Sequence, residues 1–146
     1  MPYSLIPIVL STCKIKSMII DDKLFDGLLA EAGENPRLRM NMDLRNSGGD
    51  GSQRMLNALL PGTAVPIHRH RESSETTVIL RGRLFMVFYD DLGAQTERFL
   101  LDPSLGNHGV HIPRGQWHSV EVVEPSVILE MKDGAYAPLA PEDTMD

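Results

Sequence analysis

A chain of 146 residues, 42% hydrophobic and 23% charged, is long enough to bury a core and has the composition of an ordinary globular protein, which excludes the disordered and collagen-like classes. Acidic residues outnumber basic ones 20 to 14, for a net charge of -6, and this excludes a general affinity for nucleic acid. The single cysteine, Cys13, excludes an internal disulfide and a cysteine-based metal cluster, and fits a reducing cytoplasm.

Residues 1–17 hold an apolar stretch, residues 5–10, that is too short to span a bilayer, and they lack the basic start and long apolar centre of a secretory signal. They are expected to be a disordered tail or the product of a start codon placed too early, and no membrane partner is expected. Residues 18–20 form a short apolar run suited to an edge strand. Asp21 or Asp22 then caps a helix whose Leu24, Phe25, Leu28, Leu29 and Ala32 recur at three- and four-residue spacing, and Gly33 stops it. Such a stripe packs a helix on the outside of a β fold or against a second subunit. Over residues 38–44, Leu38, Met40 and Met42 alternate with Arg37, Arg39 and Asn41 as in a half-buried strand, with the polar face turned to solvent or to a pocket.

Strand-like runs follow at 52–60, 65–70, 76–80, 83–89, 95–101, 110–113, 119–123 and 126–132, separated by turn signals such as Pro61-Gly62, Asp90-Asp91-Leu92-Gly93 and Glu124-Pro125. Eight to ten short strands at this spacing predict an all-β double-sheet sandwich or jelly-roll barrel with a short N-terminal helix. One domain is expected over residues 18–136, with 137–146 as a flexible tail.

The chemistry concentrates at residues 62–82. On a strand, His68 and His70 project from one face, because side chains alternate with period two. Glu75 follows a short polar break and opens the next run, so a carboxylate can join the two imidazoles; Glu72 fits less well. Further on, Pro113 and Gly115 make a turn and His118 opens another run, which supplies a fourth ligand. Imidazole with carboxylate suits one divalent transition metal per chain, Zn, Fe, Mn, Ni or Co. His108 and His111 have no neighbours at ligand spacing, and Trp117 and Tyr89 read as packing residues. Alternation turns Arg69 and Arg71 away from the histidine face, leaves Arg81 and Arg83 as solvated charges, and gives the pocket a largely apolar wall through Ala64, Pro66, Thr77, Ile79, Val120 and Val122.

These residues carry a family resemblance. Gly62, His68, His70, Glu75 and Gly82 match the first cupin motif at every position, and Pro113, Gly115 and His118 resemble the second. The second motif's leading glycine falls at Asn107 and its closing asparagine at Val122. Pro36-Arg37, residues 53–62 and residues 130–136 further resemble the WbuC family of small cupin-fold metalloproteins, over about residues 18–136. The resemblance implies a double-stranded β-helix, the cupin jelly-roll barrel; a metal held by His68, His70, Glu75 and His118; an association with bacterial surface-polysaccharide genes; and a homodimer. It implies no substrate.

Three histidines and one carboxylate leave coordination positions open for water, oxygen or a chelating ligand. The leading expectation is a metal-dependent enzyme, an isomerase or oxygenase acting on a small metabolite, with sugar-derived compounds among the candidates. A non-catalytic binding or sensor cupin is the alternative, and a purely structural metal the third. No residue stands out as a general base.

Overall fold

The computed structural model describes residues 17–145. The expected N-terminal tail, apart from Ser17, therefore lies outside the described residues, as does Cys13. The order is α1 (Asp22–Glu34), β1 (Arg39–Asp43), β2 (Ser52–Leu59), β3 (Ile67–His68), β4 (Glu75–Tyr89), β5 (Gln95–Leu101), β6 (Gly109–Ile112), β7 (Trp117–Asp133) and β8 (Thr144–Met145), with single 3-10 turns at Pro103–Leu105 and Pro141–Asp143. This is the all-β jelly roll with one short helix that the strand spacing predicts. No helix among the described residues is long and apolar enough to cross a membrane.

The frame is the antiparallel pair of β4 and β7, which runs from Glu75 opposite Lys132 to Tyr89 opposite Trp117. Its two ends recruit different neighbours. Beside Glu75, β4 pairs with β6 while β7 pairs with β2, which carries β1. Beside Tyr89, β4 pairs with β5 while β7 pairs with β3, which carries β8. Both long strands thus serve two sheets, and the register slips between Ile79 and Leu84, where they bend from one to the other.

Gly82 makes that bend possible. Its φ is +93°, and a Cβ there would run into the Pro125 carbonyl and the Ser126 backbone, so a side chain is excluded by conformation and by space. The pairs of runs expected at 76–80 and 83–89, and at 119–123 and 126–132, are therefore halves of two bent strands. Glu124 and Pro125 lie within β7 rather than in a turn, at the irregularity where a missing proline N–H is tolerated.

Asp21 Oδ1 accepts the Leu24 N–H at 3.0 Å and starts α1. The helix runs through Gly33 to Glu34, one residue past the expected stop, and is capped at Asn35, whose N–H donates to the Ala32 carbonyl. Its stripe buries Phe25, Leu28 and Ala32 against Leu56, Ala58 and Val127; each large side chain contributes about 1.5–3 kcal/mol of burial. Residues 18–20 form no strand and stay exposed, since the run ends at the helix cap before a ladder can develop. Between the sheets, Leu59, Ile79, Leu84, Leu101 and Ile128 form one core cluster and Met86, Phe88 and Ile112 another. At the C-terminus, β8 docks on β3, with Ile67 opposite Met145 and His68 opposite Thr144.

Candidate metal centre

His68 lies on β3 directly opposite His118 on β7, so the barrel's own hydrogen-bond register sets these two imidazoles side by side. The Ser119 hydroxyl donates to the Val65 carbonyl at 2.7 Å and ties the approach to β3 onto β7. His70 is no longer in a strand: the run expected over 65–70 shortens to Ile67–His68. What holds His70 is the Gly115 N–H, which donates to its carbonyl at 2.8 Å, so the Pro113–Gly115 turn of the second motif positions a residue of the first. Glu75 begins β4.

The four side chains meet. Ligand nitrogens of His68, His70 and His118 lie within 4.8 Å of one another, near enough for the three to close on a single ion. Glu75 Oε2 lies 3.4 Å from Nε2 of both His70 and His118. This oxygen is buried and, among the described residues, has no hydrogen-bond partner. A buried carboxylate oxygen left so is costly, and a cation between it and the imidazoles would satisfy it. The donor set fits a divalent transition metal.

Local contacts prepare the rings for that role. Nδ1 of His68 lies 2.9 Å from the Pro66 carbonyl and Nδ1 of His118 lies 2.9 Å from the Gln116 carbonyl. A carbonyl only accepts, so both Nδ1 atoms carry the proton and both Nε2 lone pairs face the site. Burial pushes His68 down to about 3, helped by the neighbouring His118, which keeps it neutral. Burial alone would raise Glu75, but the His118 and His70 imidazoles beside it outweigh this and hold it well below the usual carboxylate range. The Thr77 hydroxyl donates to Glu75 Oε1 at 3.4 Å.

The site opens into a cavity of about 850 Å³. Around the histidines its wall is apolar, through Leu59, Pro66, Met86 and Val120, as alternation predicts for Pro66 and Val120. Elsewhere the apolar expectation is overturned. Arg39 and Asn41 of β1, Gln53 and Asn57 of β2, and Glu130 and Lys132 of β7 all line it, because the barrel stands the polar faces of β1 and β2 beside the metal-facing end of β7. Thr77 and Ile79 are buried in the interior instead. Arg69 and Arg71, expected to turn away, also line the cavity: β3 ends at His68, so alternation stops there, and both guanidiniums are drawn to Asp143.

Glu130 is the residue that sequence reasoning missed. Burial, then the charge of Glu75, pushes it up to about 7. The available signal was an inward-facing Glu-x-Lys at the end of a strand whose Ile128 faces the core. The remaining assignments divide cleanly. His108 and His111 stay outside the cluster, the latter with Nδ1 3.1 Å from the Thr76 hydroxyl. Trp117 is buried, donates its indole N–H to Asp91 at 3.1 Å and lies under the Arg69 guanidinium. Arg81 and Arg83 pair with Asp26 and Asp102. Glu72 lines the cavity but is exposed, whereas Glu75 reaches the imidazoles. Val122, at the motif's asparagine position, packs against the Leu59 cluster.

Among families, the profile described as "Domain of unknown function (DUF6016)" matches residues 20–101, more than half of the chain. No curated protein matches it. Solved structures share the fold at low identity. The capsular polysaccharide assembling protein CapF from Staphylococcus aureus aligns with a TM-score of 0.61 and 18% identity, covering 76% of this chain and 32% of CapF; the chain thus spans about a third of that relative. A cupin 2 domain-containing protein from Halorhodospira halophila aligns at 0.53 and 17% over 71% of this chain and 72% of that one. KdgF from a Halomonas species aligns at 0.55 and 14% over 70% and 84%. The jelly roll is the cupin fold.

Proposed function

We propose a function for a chain that belongs to the DUF6016 family: it is a cupin metalloprotein whose His68, His70, Glu75 and His118 hold one divalent transition metal, Zn, Fe, Mn or Ni, and it acts as a metal-dependent enzyme on a small metabolite. The observation that carries this reading is Glu75 Oε2, buried without a hydrogen bond from any described residue, beside three converging imidazoles at the wall of a large cavity. A site that opens on such a cavity favours a reactive or ligand-binding metal over a closed structural one.

A metal held there supplies Lewis acidity or a place for oxygen-bearing ligands. The chain's own residues do the rest. The Pro66 and Gln116 carbonyls fix two imidazole orientations, and Thr77 orients Glu75. Leu59, Met86 and Val120 give the metal-facing wall an apolar surface. The Glu130 carboxyl, near 7, is able to take up or release a proton at neutral pH.

The test is turnover. Protein loaded separately with Fe, Mn, Ni or Zn is offered a broad panel of small metabolites. Product formed with one metal, and lost in His118→Ala, supports the enzyme; tight binding without chemical change gives the sensor or binding-module reading; neither binding nor turnover with any metal contradicts both. The residues shared with the WbuC family support a place beside it and a role alongside bacterial surface-polysaccharide synthesis. They also support a homodimer, which sedimentation as a monomer would overturn.

A further inference from the structure

One part of the cavity wall is built unlike the rest. β1, β2 and β7 enclose the cavity through continuous ladders, from Arg39 opposite Leu59 to Ser52 opposite Asp133. Residues 134–139 and Asp143 line it too, yet residues 135–140 form no helix or strand, and none of residues 134–145 is buried.

This segment leaves one end of β7 and lands on the strand that pairs with the other end. Gly134, with φ +82°, turns the chain out of β7; its N–H donates to the Gly51 carbonyl at 2.8 Å, and its own carbonyl accepts from Gln53 Nε2 at 3.0 Å. At the far end Thr144 lies opposite His68 on β3, and His68 lies opposite His118 of β7. Asp143 secures that landing. Its carbonyl accepts the Arg69 N–H at 3.0 Å, and its Oδ1 accepts from Nε of both Arg69 and Arg71. Between the two fastenings the Arg45 guanidinium lies 5.7 Å from the centre of the Tyr136 ring.

The fastenings are polar and the segment contributes no buried apolar side chain, so it opens more readily than the β4–β7 frame, whose core side chains are fully covered. Its landing also bears on the donors. β3 is two residues long and its ladder partners are β7 on one side and β8 on the other. Release of β8 therefore uncovers the cavity and frees one side of the strand that carries His68 in a single event.

We infer that residues 134–145 are a strap latched across the cavity, that Asp143 is its latch on Arg69 and Arg71, and that release of the strap governs access to His68 and His70. The inference goes beyond the metalloprotein reading, and only the metal-release measurement rests on that reading.

The test is the rate at which diethyl pyrocarbonate modifies each histidine of the full-length, chelator-stripped protein, followed by peptide mass spectrometry. His108 and His111, exposed and outside the cluster, are the internal references. Asp143→Asn raises the rates at His68 and His70 by about three- to tenfold, the effect of losing two ion pairs at the surface, and leaves both references unchanged. Asp143→Glu, which keeps the carboxylate, stays within about twofold of wild type. Hydrogen exchange over residues 134–145 quickens in Asp143→Asn but not across β4 and β7. After reloading, Asp143→Asn yields its metal to excess chelator about threefold or more faster, at unchanged stoichiometry. Cavity histidines that react alike in wild type and Asp143→Asn overturn the inference, as does acceleration that extends to His108 and His111. Metal present with unchanged histidine rates sinks the strap and leaves the metal reading standing; accelerated rates in a protein that takes up no metal do the reverse.

Discussion

On one face of β2, Leu56 and Ala58 are fully buried against Phe25, Leu28 and Ala32 of the helix; on the other, Gln53, Met55 and Asn57 look into the cavity beside the histidines and Glu75. Both faces come from a single run of eight residues. The helix side follows the rule of dry packing, in which every atom removed leaves a void that weakens the fold. The cavity side gathers charges and a carboxylate oxygen without a hydrogen bond among the described residues, an arrangement that costs stability until a ligand or ion offsets it. Stability and function are therefore written on alternate residues of one strand, and changes on the two sides should separate cleanly.

The largest separation comes from the cavity side. His70→Ala or His118→Ala lowers metal affinity by orders of magnitude in a chelator-competition titration, while the metal-free protein unfolds close to where the wild type does. From the helix side, Leu56→Ala costs about 2–5 kcal/mol in denaturant unfolding, and the folded variant keeps its metal stoichiometry. Loss of metal in Leu56→Ala at a temperature where it is folded would erase the distinction between the faces.

Acid and base should split the cavity side further. In metal-free protein His68 is depressed to about 3, so its contribution to stability is present above the ordinary imidazole range and lost as pH falls towards 3. Glu75, also depressed, adds a loss in the same direction below the ordinary carboxylate range. Glu130 is raised to about 7, so its contribution is present at low pH and lost as pH rises through about 7. The metal-free protein is then most stable at intermediate pH, and Glu130→Gln gains about 1–3 kcal/mol relative to wild type on the alkaline side compared with the acid side. A pH-independent difference between the two proteins would remove Glu130 from this account. Smallest of all, Arg98→Ala breaks an exposed pair with Glu121 on the outer surface and changes stability by about 0.2–1 kcal/mol, with no effect on metal.

The site was more legible in the sequence than the strands that carry it. His68, His70, Glu75 and His118 were identifiable because residue types and turn signals agreed, and the structure brings all four together. The reason for their convergence was only half visible. Period-two alternation accounts for a strand, yet β3 is two residues long and His70 depends on a hydrogen bond from Gly115, a residue 45 positions away. The bent strands β4 and β7 were read as four because Gly82 and Glu124-Pro125 look locally like turns; only the approach of Pro125 to Gly82 shows why the chain continues. The charged lining escaped for a similar reason. Arg39, Asn57, Glu130 and Lys132 come from three strands, of which β7 lies far along the chain from β1 and β2, and nothing local says that the three share the wall on which the histidines open.

The most direct test of the central claim is elemental analysis of the protein purified without metal-affinity resin, beside a His68→Ala/His118→Ala double variant. We expect close to one equivalent of a single transition metal in the wild type and almost none in the variant. Wild type that stays metal-free after reloading, or a variant that retains the same metal, would contradict the assignment of His68, His70, Glu75 and His118 as a metal centre.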